Sequence, residues 1–415
     1  MTNVIARSLA LLLAASALIV ACDDGDGGGD ESDSEPLRIG YLADRSGSIA
    51  ELGDVVSVGV ELAVQHVNEA GGVLGRDVEL LFGDTKVNPT QGVEEARRLV
   101  DVEGVQAIVG AISSTVTLAV TESVIGPSGV VMITPSASSP ALSTSNDNDF
   151  LFRSAPSDVA KGVVLAALAE QEGLDNVGLL YRDDAYGQGS AEVFINNFSG
   201  SVTAASYSAL GQPTYLAELQ QAASGGADLL VVIAFPGEAE VFLRESIENE
   251  VFTKFVFADA TRSEDLAAMI GPEHLDGMKG TAPGSSDSEP STAAWNRAYI
   301  AHFGEEPARA YVREGYDAVI AIALAAEAAG STDSAAIRDQ LRNVVQPPGR
   351  TVIAGPDGVA AALEAVRNGE EIDYDGAASP LDWNATGDLQ TGFVEIWEYR
   401  GGKIVPIESR PFDLR

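Results

Sequence analysis

From Leu37 to beyond the middle of the chain, short runs of valine, isoleucine and leucine alternate with stretches of helical periodicity, and no other feature narrows the choice of fold so far. Runs apolar on both faces mark parallel strands covered by helices on each side. The spacing predicts strands over 38–43, 78–82, 106–110, 130–134, 177–181, 202–207, 229–235 and 255–258. That number exceeds the roughly five or six strands of an ordinary sheet. Two doubly wound α/β sheets are therefore expected.

Helices are predicted between the strands. Over 53–70, Val56, Val60, Ala63, Val64 and Val67 recur at helical spacing, and Gly71-Gly72 supplies a stop. Similar segments cover 90–102, 115–124, 158–172, 186–198, 214–224 and 238–249. The two sheets separate near Phe152-Arg153-Ser154-Ala155-Pro156-Ser157-Asp158, where an extended piece enters a helix that Ser157 or Asp158 can cap. Beyond 279–284 the pattern is predominantly helical, with an alanine-rich helix from about 309 to 329, and the chain closes with strands over 393–399 and 403–408.

The 415 residues suit two domains, and 45% apolar content is ample for their cores. A formal charge of −37 speaks against nucleic acid as a partner, since neutralising phosphates requires clustered lysine and arginine. It reads as a strongly solvated surface. His66, His274 and His302 are scattered without metal-ligand spacing, and neither a P-loop nor a Gly-x-Ser-x-Gly elbow occurs. No catalytic residue, metal or cofactor is expected, and the enzyme alternative has little support.

The lone cysteine, Cys22, ends an apolar segment that runs from Leu9 to Val20, broken only by Ser16, and it precedes the acidic, glycine-rich stretch 23–31. About a dozen apolar residues fall short of the ~20 needed to span a bilayer as a helix. The segment reads as a signal sequence. Leu18-Ile19-Val20-Ala21-Cys22 resembles the lipobox of a bacterial lipoprotein. That resemblance implies removal of 1–21, lipidation of Cys22 and an address outside the cytoplasmic membrane, and the acidic, Gly/Ser-rich composition of 22–36 reads as a flexible tether.

Four further motifs occur in order: Ile39-Gly40-Tyr41, the stretch Val67-Asn68-Glu69-Ala70-Gly71-Gly72-Val73-Leu74-Gly75-Arg76, Ile108-Val109-Gly110-Ala111 leading into Ser113-Ser114-Thr115, and Asp184-Ala185-Tyr186-Gly187-Gln188-Gly189. Together they resemble the branched-chain amino acid (Leu/Ile/Val) binding proteins of ABC transporters. The resemblance runs from Leu37 nearly to the C-terminus. It implies a type I periplasmic-binding fold of two lobes joined by three crossings, with lobe 1 over 37–157 plus 284–380 and lobe 2 over 158–283 plus 381–415.

Open α/β sheets bind ligands beyond the carboxyl ends of their strands. After the strand 106–110 the turn delivers Ser113, Ser114 and Thr115 to a helix start, where free N–H groups suit a carboxylate; ordinary N-capping is the competing reading. The resemblance carries further roles. Ala137 would offer its carbonyl to an ammonium, with Ser138 standing where relatives commonly have threonine. Tyr186 would close over the ligand, Phe235 would supply an aromatic wall, and Asp259 would hold the ligand's ammonium. Asp158 and Leu52 match further cleft positions, although relatives often have an aromatic ring at the latter. Asp259 could alternatively cap the next helix.

The function implied is capture of a small amino acid, branched-chain or otherwise apolar, for delivery to ABC permease subunits. The alternatives are a binding protein for amides or urea-like solutes that presents its ligand to a membrane receptor, and an enzyme.

Overall fold

The computed structural model describes residues 35–307 and 310–415. The expected signal segment 1–21, the lipidation residue Cys22 and all but the last two residues of the 22–36 tether lie outside the described residues.

Lobe 1 is built on β1 (Arg38–Ala43), β2 (Glu79–Asp84), β3 (Ala107–Gly110), β4 (Val131–Thr134) and β5 (Leu151–Arg153), all parallel, in the order β2-β1-β3-β4-β5. Lobe 2 repeats that winding with β6 (Asn176–Arg182), β7 (Ser201–Tyr207), β8 (Leu229–Ile233), β9 (Lys254–Phe257) and β10 (Lys279–Gly284), ordered β7-β6-β8-β9-β10. Strands β3, β4 and β8 are buried along their whole length, as near-continuous apolar runs require. A small parallel pair follows, β11 (Arg350–Ile353) and β12 (Ile372–Asp375). Two long closing strands, β13 (Thr391–Arg400) and β14 (Lys403–Asp413), then extend the second sheet, β13 antiparallel to β10 and β14 antiparallel to β13.

The chain crosses between the sheets three times. From β5 it enters the helix Asp158–Glu170, which packs on the helix Ala185–Asn197 and on β9 and β10. After β10 it returns to the first lobe, where the helix Val312–Ala329 lies along Ala50–Glu69 and under β3 and β4. From β12 it crosses again to β13. Arg153 binds the first crossing to the third: its guanidinium pairs with Asp388 at 2.6 Å, and its backbone carbonyl accepts the Trp383 indole N–H at 2.6 Å.

The helix Val312–Ala329 is buried on every side along most of its length, the pattern of a core helix. Gly59 allows its close approach, because a Cβ there would run into the carbonyl oxygen of Val312. That approach brings the start of the helix, and with it Tyr311, to the cleft between the lobes.

Strands β5, β10, β11 and β12 were not among the expected ones. β5 is only three residues long, and β10 carries two glycines and Pro283, which weaken a strand signal. Pairing to β9 on one side and β13 on the other makes β10 a strand all the same. The expected helix over 309–329 runs over Val312–Ala329, and Phe235 sits at the N-cap of the helix Pro236–Glu248 instead of at the end of β8.

Candidate functional site

The ends of β3, β4, β8 and β9 converge on the cleft. Their loops line a cavity of about 290 Å³ whose walls include Ser113, Ser114, Ser136 and Ser138 from lobe 1 and Tyr186, Phe235 and Asp259 from lobe 2. Ile49, Leu52, Asp259, Ala260 and Tyr311 also face a second chamber of about 540 Å³, which continues past Val55, Pro236 and Ala310 to Arg262 and Glu51. Asp259 and Tyr311 are the polar residues of the wall that the two chambers share, and the outer one is mostly apolar.

On lobe 1 the wall is neutral. The helix Ser114–Val120 begins after Ser113, whose side chain makes no cap hydrogen bond. Ser114 does not cap either: its Oγ accepts the backbone N–H groups of Ser138 at 3.1 Å and Ser139 at 3.2 Å, locking the β3 loop to the β4 loop. Ser136 donates to the carbonyl of Ile112 at 2.9 Å.

Lobe 2 concentrates charge. Asp259 begins the turn after β9 and is 5% exposed. Its Oδ1 accepts the Tyr186 hydroxyl at 2.7 Å, and its Oδ2 accepts both the Tyr311 hydroxyl and the Lys161 ammonium. Lys161 reaches on to Asp158 at 3.1 Å, and Asp158 takes the Ser190 hydroxyl at 2.7 Å. The capping role open to Asp259 falls to Ser263, whose Oγ accepts the N–H of Leu266 at the start of Glu264–Ile270.

These partners fix the charges. Burial alone would push the Asp259 carboxyl up, but the Lys161 charge and hydrogen bond, followed by the hydroxyls of Tyr311 and Tyr186, hold it below the ordinary aspartate range. Burial would likewise strip the Lys161 proton, yet Asp158 and Asp259 outweigh it and keep the ammonium above the ordinary lysine range. Burial, then the Asp259 charge, raises the Tyr186 and Tyr311 hydroxyls well above the usual tyrosine range, so both act as neutral donors. Phe235 stacks on Tyr186 at 5.7 Å between centroids, and the Arg182 guanidinium lies over the Phe235 ring at 4.1 Å.

Of the residues singled out from sequence, Leu52, Ser114, Ser138, Tyr186, Phe235 and Asp259 meet at the cavity. Three do not line it. Asp158 lies behind Asp259, Ala137 is buried with its N–H on Thr134 Oγ1, and Thr115 faces a separate groove. Thr115 Oγ1 accepts the N–H of Ala185 at 3.2 Å, while Ser139 Oγ donates to the carbonyl of the same residue at 2.6 Å, so one backbone unit of lobe 2 is held by two hydroxyls of lobe 1. Sequence reasoning missed Lys161 and Tyr311. Lysine within a helix ordinarily marks a solvated face, and the bend that aims Tyr311, at φ +77° in a region usually left to glycine, leaves no mark in sequence.

The family profile of periplasmic binding proteins matches residues 36–363. The Leu/Ile/Val-binding protein homolog 3 of Brucella melitensis is 28% identical over 378 residues, which is 90% of this chain and 94% of that one. BasB of Halobacterium salinarum, a substrate-binding protein of a chemotactic signal transduction system, is 27% identical over 368 residues, 87% of this chain and 86% of its own. Among solved structures, the leucine-binding protein LivK of Thermotoga maritima superposes with a TM-score of 0.76 at 24% identity, covering 90% of this chain and 98% of that one. The repeated winding, the cleft between two sheets and the length of the match agree: this chain belongs to the periplasmic binding protein family.

Proposed function

We propose that this protein captures an amino acid, branched-chain or otherwise apolar, between its two lobes and hands it unaltered to an ABC permease, tethered outside the cytoplasmic membrane by a lipid on Cys22. One observation carries the ligand class. Asp158, Lys161 and Asp259, at most 5% exposed, set two carboxylates against one ammonium in a water-poor site. A ligand bringing one positive charge makes that cluster neutral; an uncharged ligand leaves the buried excess in place.

The rest of the zwitterion has a place in this reading. Its ammonium meets the last lone pair of Asp259, its carboxylate meets the start of Ser114–Val120 with the hydroxyl of Ser138, and its side chain extends past Leu52 into the apolar chamber. Lobe 1 (37–157 plus 284–380) and lobe 2 (158–283 plus 381–415) move as units. A ligand touching both shifts them toward closure by its differential affinity for that state. The Brucella homologue and LivK, named for leucine, isoleucine or valine, support the choice of solute. The apolar run ending at Cys22 supports the anchor.

The likeness to BasB favours a second reading, in which the loaded protein reports to a membrane receptor instead of a permease. Copurification from membranes separates the two partners. Calorimetric titration with the twenty amino acids, urea and short amides tests the ligand: an apolar amino acid should bind near micromolar, about −8 kcal/mol, and be recovered chemically intact. Tight binding of an uncharged amide with no heat from any amino acid would refute the reading.

A further inference from the structure

Among the described residues Lys161 is the one cation that touches Asp259, and it lines neither chamber. It comes from the first helix of lobe 2, one turn after Asp158, and its ammonium is clamped between the two carboxylates. An ionised carboxylate offers about four lone-pair sites. Tyr186 takes one on Oδ1 and Lys161 and Tyr311 take two on Oδ2, which leaves one on Oδ1 of a carboxylate that lines the cavity. Without the lysine, the buried Asp259 would face only neutral hydroxyls and the neighbouring Asp158, conditions that favour a protonated acid.

We propose that Lys161 is the positioning residue of the cleft: it holds the Asp259 carboxylate charged and turned to the cavity, so the site grips a ligand ammonium equally well across neutral pH. This rests on the amino-acid reading given above. The other charges near Asp259 are already committed. Arg262, two residues on, pairs with Glu395 at 3.2 Å, and Glu238 on the adjoining helix pairs with Arg182. Neither arginine is free to replace Lys161.

Titration of the full chain with leucine between pH 5.5 and 8.5 tests this, alongside carboxyl-carbon NMR of Asp259. The wild type should vary less than 3-fold in affinity, while Lys161→Met should lose at least 10-fold at pH 5.5 relative to pH 8.5, and Lys161→Arg should restore the flat profile. A lost side chain of merely structural value would lower affinity evenly at every pH. A flat profile in Lys161→Met overturns the proposal. If that variant does not fold, or if the wild type gives no heat with leucine and the amino-acid reading fails, the wild-type NMR decides: the Asp259 signal should stay ionised from pH 8.5 down to pH 5, and titration inside that range overturns the proposal.

Discussion

The two lobes share one winding order but treat charge in opposite ways. Lobe 2 presents an acid to the cleft and supports it from behind with a lysine and a second acid, whereas lobe 1 presents serines and keeps its own buried acids elsewhere. Glu314 and Asp317 of lobe 1 lie inside the helix Val312–Ala329, where Asp317 accepts the N–H groups of Ala377 and Ala378 and the Tyr374 hydroxyl. Identical topology therefore dictates where a site forms and leaves its polarity to a few loop residues.

The contrast breaks most severely at Asp259. Asp259→Asn should lower amino-acid affinity at least ~100-fold, about 3 kcal/mol, because a charge-assisted bond in a buried site is lost. Calorimetry reads it, and a change under 5-fold would place the ligand's charge elsewhere. On lobe 1 the matching change concerns stability. Burial pushes the Glu314 carboxyl up to about 7, whereas the unfolded residue releases its proton near 4.5. The folded state thus holds the extra proton between those values, and the stability owed to this group declines as pH rises through that window and levels off above about 7. Glu314→Gln should remove a decline on the order of 2 kcal/mol, measured by urea unfolding at pH 5 and pH 8. An unchanged slope would show that Glu314 is ionised inside the lobe.

The smallest effect sharpens the comparison where the lobes touch. Thr115→Ala removes one hydroxyl from the Ala185 backbone and should weaken ligand binding about 5-fold, near 1 kcal/mol. Scattering should show a larger radius of gyration at partial saturation. If affinity is untouched, the contact contributes nothing to closure.

Much of this architecture is legible in the residues. Buried parallel strands such as Leu229–Ile233 announce themselves as unbroken apolar runs, and an acid directly after Phe255-Val256-Phe257-Ala258 stands out at a strand end. What stays hidden depends on partners distant in sequence. Lys161 gains its meaning only from Asp259, 98 positions on. Lys279–Gly284 becomes a strand only because two neighbours flank it. Thr115 looks like an anion donor at a helix start until the opposite lobe supplies the Ala185 N–H.

Tyr311 stores a consequence of its own. A tyrosine at φ +77° sits in a twist that costs on the order of 1 kcal/mol or more, and its hydroxyl joins lobe 1 to Asp259 of lobe 2. One link between the halves therefore rests on a strained stretch of backbone.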